Sequence, residues 1–485
     1  MSKQLRRVSI VVLMMFVALF VSSSIIQVFS TDTLKSDSRN VRTLYDSYSA
    51  QRGEILDANG KVIAQSVPSK DVYKFQRVYA DPKLYSAVTG YFTINQANPG
   101  IEGSLGDYLS GTANEQFFDN LNNIVTGKTP KGASVQLTID RAVQKAAYDA
   151  LGDNRGAVVA IDPKTGAILA MVSKPAYDPN QLAVHDTSKF FATYNALSGQ
   201  KYSPLVNRAI AGDLYHPGSV FKLVVASAAL ESGKYTPESS FLNPARLQLP
   251  ESTSFIQNAG GGTCGAGAKA TIATAIKLSC NIPMAQLGAA LGNQAIADQA
   301  AKFGFGQSVQ IPMKSTPSIY PTGLDAPQTM LSAFGQSDDR VTPLQIAMDS
   351  AAIANGGVEM QPTLVQKIIA PDLSTIKSLT PTVFSTPISA DTAAKVRDMM
   401  ISSVAGGAAS NATIDGVEVA GKTGTAENGP GDPYTLWFTG FAPANDPKVA
   451  VAVVVENGGG LGQDAFGNLV AAPIGKKVLE AVLNK

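Results

Sequence analysis

Ser219 and Lys222 stand three residues apart in the run His216-Pro217-Gly218-Ser219-Val220-Phe221-Lys222-Leu223. On a helix, residues at i and i+3 share a face, so this hydroxyl and this amine can meet. A serine hydroxyl becomes a useful nucleophile when a neighbouring base takes its proton, and a lysine can be that base if burial lowers its pKa. The same spacing recurs in Ser198-Gly199-Gln200-Lys201 and Ser374-Thr375-Ile376-Lys377. Ser198 has glycine beside it and Ser374 lies between Pro371 and Pro381, so neither has a helix to hold it. Ser219 follows Pro217-Gly218 and precedes an apolar helical run that closes at Gly233, a C-cap candidate. At the start of such a helix, free backbone N–H groups and the positive end of the dipole favour a developing oxyanion.

Two further motifs matter because of their order. Ser279-Cys280-Asn281 lies between the apolar helical runs Ala270 to Leu278 and Ile282 to Leu291, a junction from which polar side chains can project into a cleft. Lys422-Thr423-Gly424-Thr425 lies within the strand-like run Val417 to Glu427, where backbone N–H groups and small residues suit a bound peptide. Each has a decoy, Ser38-Arg39-Asn40 and Lys164-Thr165-Gly166, in the wrong order around Ser219 and in solvent-facing contexts.

The elements needed to position this trio are visible in the hydrophobic pattern. Gln51 to Ala64 reads as two strands around an Asn59-Gly60 turn. Val135 to Ile139 alternates like a strand, and Asp140 can cap a helix over Arg141 to Leu151. Apolar strands are expected at Gly156 to Ile161 and Ala167 to Ser173, joined by the turn Asp162-Pro163-Lys164-Thr165-Gly166. Helical and loop material follows from about Asn180 to Ala409. Strands return at Val417 to Glu427, Thr435 to Phe441 and Lys448 to Glu456, and a helix over Ile474 to Leu483 closes the chain. Early and late strands around a helical middle predict one sheet completed by distant parts of an α+β domain of about 350 residues.

The chain's 485 residues allow two or three domains. A net charge of +1, with 16% charged residues, gives no excess to attract nucleic acid. With only His185 and His216 present, a histidine-based machine is not expected, and His216 reads as a loop residue before a helix. No Cys/His cluster points to zinc and no Walker loop to nucleotide, so neither metal nor cofactor is expected. Lys3, Arg6 and Arg7 precede an uncharged stretch from Val8 to Thr31. As a helix this would run roughly 36 Å, enough for a bilayer core, and its basic flank should stay in the cytoplasm. A cleaved signal peptide competes, with Ser22-Ser23-Ser24 as the cleavage site. The apolar character that resumes at Ile25 to Phe29 favours an uncleaved anchor. Cys264 and Cys280 would then lie in an oxidising compartment, with Gly- and Ala-rich chain between them. A disulfide is favoured over two small buried thiols.

With Ser-x-x-Lys, Ser-x-Asn and Lys-Thr-Gly in that order, the chain resembles the serine penicillin-recognising enzymes. Within them it is most similar to the class B penicillin-binding proteins, monofunctional peptidoglycan transpeptidases, and in particular to the short actinobacterial PbpA type. Arg52-Gly53-Glu54-Ile55 resembles the family's juxtamembrane motif, and Val158 to Tyr177 its first sheet hairpin. Gly335-Gln336 with Val341-Thr342-Pro343-Leu344-Gln345 resembles a recurrent segment before a central helix. Trp437-Phe438-Thr439-Gly440-Phe441-Ala442-Pro443 resembles the strand after Lys-Thr-Gly. Ser337 departs from the glycine usual in its segment, and Cys280 is less common inside Ser-x-Asn.

The resemblance implies a transpeptidase domain of the penicillin-binding-protein and serine β-lactamase type, an antiparallel sheet flanked by helices with a helical subdomain. It implies a cytoplasmic tail at 1–7, a transmembrane anchor at 8–31, a spacer of the dimerisation or pedestal kind at 32–131, and the extracytoplasmic transpeptidase domain at 132–485. It also implies site roles. Ser219 attacks the penultimate D-alanine carbonyl of a peptidoglycan stem peptide, expelling D-alanine, and an amine from a neighbouring peptide resolves the acyl-enzyme. Lys222 accepts the serine proton, Ser279 and Lys422 relay a proton to the leaving amine, and Asn281 orients Lys222 and the substrate. The N–H groups of Ser219 and Thr425 form the oxyanion hole, and Thr423 and Thr425, flanking Gly424, grip the terminal carboxylate. β-Lactam antibiotics would acylate the same serine. The partner expected for glycan polymerisation is a membrane-embedded SEDS-type glycosyltransferase.

Three rivals are weighed against this. A β-lactamase needs a water activator, and the only glutamates between Asn281 and Lys422 are Glu359 and Glu418, neither opening a Glu-x-x-Asn pattern. A D,D-carboxypeptidase would use the same residues with water as acceptor. A non-enzymatic β-lactam sensor would need a signalling domain, which seven cytoplasmic residues cannot supply.

Overall fold

The computed structural model describes residues 3–26, 50–116 and 131–484. The end of the expected anchor (27–31), the start of the spacer and the decoy Ser38-Arg39-Asn40 lie outside these residues. The first helix, Lys3–Ser24, has 22 residues and no buried side chain. It begins earlier than the uncharged stretch because Lys3, Arg6 and Arg7 are good helix formers.

The Asn59-Gly60 hairpin is present. Strands Ile55–Leu56 and Val62–Pro68 pair antiparallel, and the Asp57 carboxylate accepts the N–H groups of Asn59 and Lys61 across the turn. Phe75–Tyr79 pairs on the outer side. This sheet extends further than expected, to six strands, by taking in Ser134–Leu137, Val365–Ile369 and Thr375–Ser378. The last two fall in the region read as helix and loop. They are short, the first mostly half-buried and the second largely exposed, so they carry no long apolar alternation to read. Beneath the sheet, the buried Glu102 carboxylate accepts hydrogen bonds from Arg52 and Arg77 Nε at 2.6 Å each. Burial alone would raise its pKa, but the Arg77 and Arg52 guanidiniums outweigh this and hold it ionised.

The second sheet is the one expected from distant strands. Its order is Ala420–Ala426, Thr435–Ala442, Val449–Val455, Gly156–Ile161 and Ile168–Lys174, antiparallel throughout. The three middle strands are buried along their whole length, and their alternating side chains feed two different cores. Val158, Val451, Val453 and Phe438 pack with helix Arg141–Leu151 and the C-terminal helix. Val159, Ala452, Val454 and Trp437 face the central helix Pro343–Ala354 and the helix after Ser219. Asp140 caps Arg141–Leu151 through the N–H groups of Ala142 and Val143.

The C-terminal helix runs from Gly467 to Leu483, beginning before the expected Ile474 and carrying Pro473 inside. Pro473 forfeits a hydrogen bond to Leu469, and because Leu469 is exposed, water can serve the orphaned carbonyl. Gly467 is buried against the sheet, where a Cβ would lie 2.4 Å from the Gly424 carbonyl oxygen. The Lys-Thr-Gly strand Ala420–Ala426 is an edge strand, and the helical subdomain stands beside it.

Candidate active site

Pro217 leads into a single 3₁₀ turn, Gly218–Val220, closed by the Phe221 N–H on the Gly218 carbonyl at 3.0 Å. The α-helix proper is Lys222–Glu231, with Gly233 just beyond it at φ +69°. Ser219 therefore precedes the α-helix by one tight turn. An i→i+3 bond here leaves Lys222 as the first α-helical residue. Lys222 is fully buried, and its Nζ donates to the Ser279 carbonyl and to Asn281 Oδ1, both at 2.8 Å.

Ser279 ends helix Ile272–Leu278 in the left-handed region, φ +63°. That turn sends Cys280 into the core and lets Asn281 open helix Ile282–Leu291. Cys280 is disulfide-bonded to Cys264, with Cα atoms 5.6 Å apart. Closing this loop contributes about 3 kcal/mol in the chain-entropy model.

Lys422, also fully buried, donates to Ser279 Oγ at 2.7 Å and to the Thr423 carbonyl at 2.8 Å. Burial brings its pKa down to about 7. Burial, with a smaller contribution from the nearby Lys422 ammonium, drives Lys222 well below the ordinary lysine range. Two amines that desolvation makes poor ammonium ions can exchange protons near neutral pH, and as a coupled pair.

Ser219, Ser279 and Asn281 border a cleft of about 1080 Å³, with both lysines buried behind them. Thr423, Gly424 and Thr425 line its far wall. The Thr423 hydroxyl donates to the Ala408 carbonyl at 2.8 Å, whereas Thr425 Oγ1 accepts the Gly467 N–H at 3.2 Å. Thr425 thus keeps its proton for a ligand, while Thr423 has committed its own.

A family model described as the penicillin binding protein transpeptidase domain matches residues 156–480, well over half of the chain. The chain belongs to that family. A second model, the penicillin binding protein A dimerisation domain, matches residues 52–135. The peptidoglycan D,D-transpeptidase PbpA of Mycolicibacterium smegmatis is 39% identical, with all of both chains covered. The ceftriaxone acyl-enzyme complex of penicillin-binding protein A from M. tuberculosis is similar at TM-score 0.87 and 37% identity, covering 90% of this chain and 100% of that one. Its penicillin G acyl-enzyme complex is similar at TM-score 0.84 and 36% identity over the same shares.

In this penicillin-binding protein the three motifs expected from sequence converge on one cleft. Lys164-Thr165-Gly166 forms an Asp162-centred turn and does not line the cleft. His216 is the loop residue it was read to be. Arg340 Nη1 lies 2.8 Å from its Nδ1, and burial together with the Arg340 charge lowers its pKa. Glu359 and Glu418 do not line the cleft, and Glu427 is the acidic side chain that does among the described residues.

Sequence reasoning missed how the Ser219 turn is held. Trp437 Nε1 donates to the His216 carbonyl at 2.9 Å, and the Gly218 N–H donates to the Gly335 carbonyl at 2.9 Å. Gly335 has φ +80°, and a Cβ there would fall 2.0 Å from the Gly218 carbonyl oxygen. Gly335→Ala is accordingly expected to push the Ser219 turn out of register and slow acylation by a fluorescent penicillin about a hundred-fold. A variant labelled within a few-fold of the wild-type rate would show that this contact is dispensable. Two residues on, Ser337 sits at φ +70°, the left-handed region that glycine occupies without strain and serine does not.

Proposed function

We propose that this penicillin-binding protein is a peptidoglycan D,D-transpeptidase that cross-links stem peptides through a Ser219 acyl-enzyme, releasing D-alanine. The observation that carries the reading is the lysine pair. Lys222 Nζ is held between the Ser279 carbonyl and Asn281 Oδ1, and Lys422 Nζ is held on Ser279 Oγ. In this reading Lys222, unprotonated because it is buried, takes the Ser219 proton as Oγ attacks the penultimate D-alanine carbonyl. The N–H groups of Ser219 and Thr425 stabilise the oxyanion. Lys422, poised near neutrality, passes a proton through Ser279 to the departing D-alanine amine. Thr425 meets the terminal carboxylate with its free hydroxyl proton, and Thr423 contributes by shaping the strand. An acceptor amine then attacks the ester. β-Lactams react as mimics of the donor and stall at the ester, as the acyl-enzyme complexes of the M. tuberculosis relative illustrate.

The apolar helix Lys3–Ser24 supports a single-pass anchor with a cytoplasmic N-terminus and the catalytic domain outside. The division into a tail at 1–7, an anchor at 8–31, a spacer at 32–131 and a catalytic domain at 132–485 belongs to the same proposal. So does a SEDS-type glycosyltransferase as the membrane partner. The β-lactamase rival needs a carboxylate or its equivalent beside the ester to activate water, and Glu427 is exposed just beyond its strand; a carboxypeptidase would use the same residues and is separated only by its acceptor.

The deciding experiment is intact-protein mass after mixing with penicillin, beside a Ser219→Ala control. A persistent one-drug adduct absent from the control is expected. Transient labelling with drug turnover would make the protein a β-lactamase. No adduct, or one that survives in the control, would remove Ser219 as nucleophile. Incubating a labelled donor peptide with an amine acceptor separates cross-linking from simple hydrolysis.

A further inference from the structure

Helix Ile282–Leu291 begins with N–H groups that have no intrahelical acceptor, and Asn281 occupies its N-cap position. An asparagine there ordinarily turns its own Oδ1 onto the N–H of the second or third helical residue. Here it does not. The N–H groups of Asn281 and Ile282 instead donate to Asn258 Oδ1, at 2.9 and 3.1 Å, from a different part of the chain. Asn281 Oδ1 receives Lys222 Nζ at 2.8 Å, while its Nδ2 donates to the Gln257 carbonyl at 2.9 Å. Asn258 is itself buried, and its Nδ2 donates to the Gly262 carbonyl at 3.1 Å. Farther along the same glycine-rich loop, Cys264 is joined to Cys280 and its backbone is held from both sides by the Asn243 amide. The loop therefore grips Ser279-Cys280-Asn281 twice, through Asn258 at its start and through the disulfide at its end.

We propose that Asn258 is a positioning residue for the acylation step, holding the N–H groups of Asn281 and Ile282 so that the Asn281 side chain stays on Lys222. The proposal rests on the transpeptidase reading of the same cleft. Without Asn258, the N–H groups of Asn281 and Ile282 lose their acceptor, the backbone that carries the Asn281 side chain is no longer held, and its Oδ1 shifts away from Lys222 Nζ. Lys422 is the other titratable group facing Lys222.

The test uses the full-length chain in detergent. The rate of labelling by a fluorescent penicillin is followed from pH 6 to 9 for wild type, Asn258→Ala and Asn258→Asp, with melting temperatures alongside. Asn258→Ala should acylate about a hundred-fold more slowly. Asn258→Asp keeps the acceptor for both N–H groups and should recover most of the rate at alkaline pH. Its acid limb should move to higher pH, because an added carboxylate two hydrogen bonds from Lys222 favours the ammonium form. Labelling of Asn258→Ala at the wild-type rate overturns the proposal. So does equal slowing of both variants in step with their melting temperatures and with no displaced limb, the signature of a purely structural residue. A wild type that takes no label at all overturns the transpeptidase reading and the proposal with it. Failure of the proposal alone is recognised by a labelled wild type.

Discussion

Lys222→Met is expected to lower the rate of Ser219 acylation by penicillin at least about a thousand-fold, the upper range for losing a general base. Methionine matches the buried stem of Lys222 but has no amine, so the serine proton has nowhere to go. It also leaves the Ser279 carbonyl and Asn281 Oδ1 without their donor, and some of the loss could be blamed on that. Lys222→Arg separates the two causes. Arginine retains donors for both acceptors but stays protonated and cannot accept a proton. If Lys222 works as a base, the arginine variant is as slow as the methionine one. If it works only as a donor or a positive charge, the arginine variant keeps its rate within about ten-fold, and the proton-acceptor role is lost. The pH profile gives an independent reading. Burial, and then Lys422, depress the Lys222 pKa well below the ordinary value of 10.5, so its neutral amine forms at lower pH than that of an ordinary lysine, which titrates across about pH 9 to 11. A wild-type rate still climbing through that interval would mean that the base is an ordinary, solvated lysine.

Much of this site was legible before any coordinates, for a physical reason. Ser219 and Lys222 precede a helix whose residues Leu223 to Leu230 are all buried, so its sequence is apolar on every side and hard to mistake. Lys422 sits in one strand of a sheet whose interior strands are buried on both faces, and such strands read as unbroken valine and alanine runs. What escaped the reading depends on contacts between segments far apart in the chain. Val365–Ile369 is a strand because Ser134–Leu137 lies beside it, and nothing within its own five residues requires that. Asn258 stands in a glycine-rich loop, and its importance comes from helix Ile282–Leu291 starting against it. Thr423 and Thr425 are equivalent by motif, yet one hydroxyl proton goes to Ala408 and the other remains free. Gly335 could be picked out as part of a familiar segment, but the 2.0 Å approach to Gly218 that demands glycine is a property of the fold.

Asp349→Asn is expected to make the protein more stable at pH 7 and to leave it nearly unchanged at pH 4. Asp349 is buried on the central helix Pro343–Ala354, where its Oδ1 accepts from Gln345 Nε2 at 2.9 Å. Burial raises its pKa from 3.8 to about 8, against the weaker opposing effect of the Gln345 hydrogen bond. Glu359, the titratable group that faces it, is pushed up by burial and by the Asp349 charge. Ser385 Oγ donates to Glu359 Oε2 at 2.7 Å, and Oε1 has no partner among the described residues.

The sign follows from proton binding. Below pH 4 the Asp349 carboxyl is protonated in both folded and unfolded chains and contributes no pH dependence. Between about pH 4 and 8 the folded protein holds a proton that the unfolded chain has released, so stability falls as pH rises. At pH 7 the loss is on the order of 4 kcal/mol. Asparagine keeps the acceptor for Gln345 and never ionises, so it escapes this loss. Buried Lys422, with its pKa lowered to about 7, acts in the opposite sense, with stability gained as pH rises from 7 toward 10.5. The wild-type curve alone therefore mixes the two effects, and the difference between variant and wild type removes Lys422 and leaves Asp349 together with its coupling to Glu359. Melting curves of both proteins from pH 4 to 8 should diverge steadily. An offset that is constant across that range, or a variant less stable at pH 7, would show that Asp349 is ionised in the folded protein. The variant should acylate at the wild-type rate, since Asp349 does not line the cleft. The core beneath the central helix thus carries a carboxyl whose cost appears only as pH rises, and the lysine pair carries the opposite cost for catalysis.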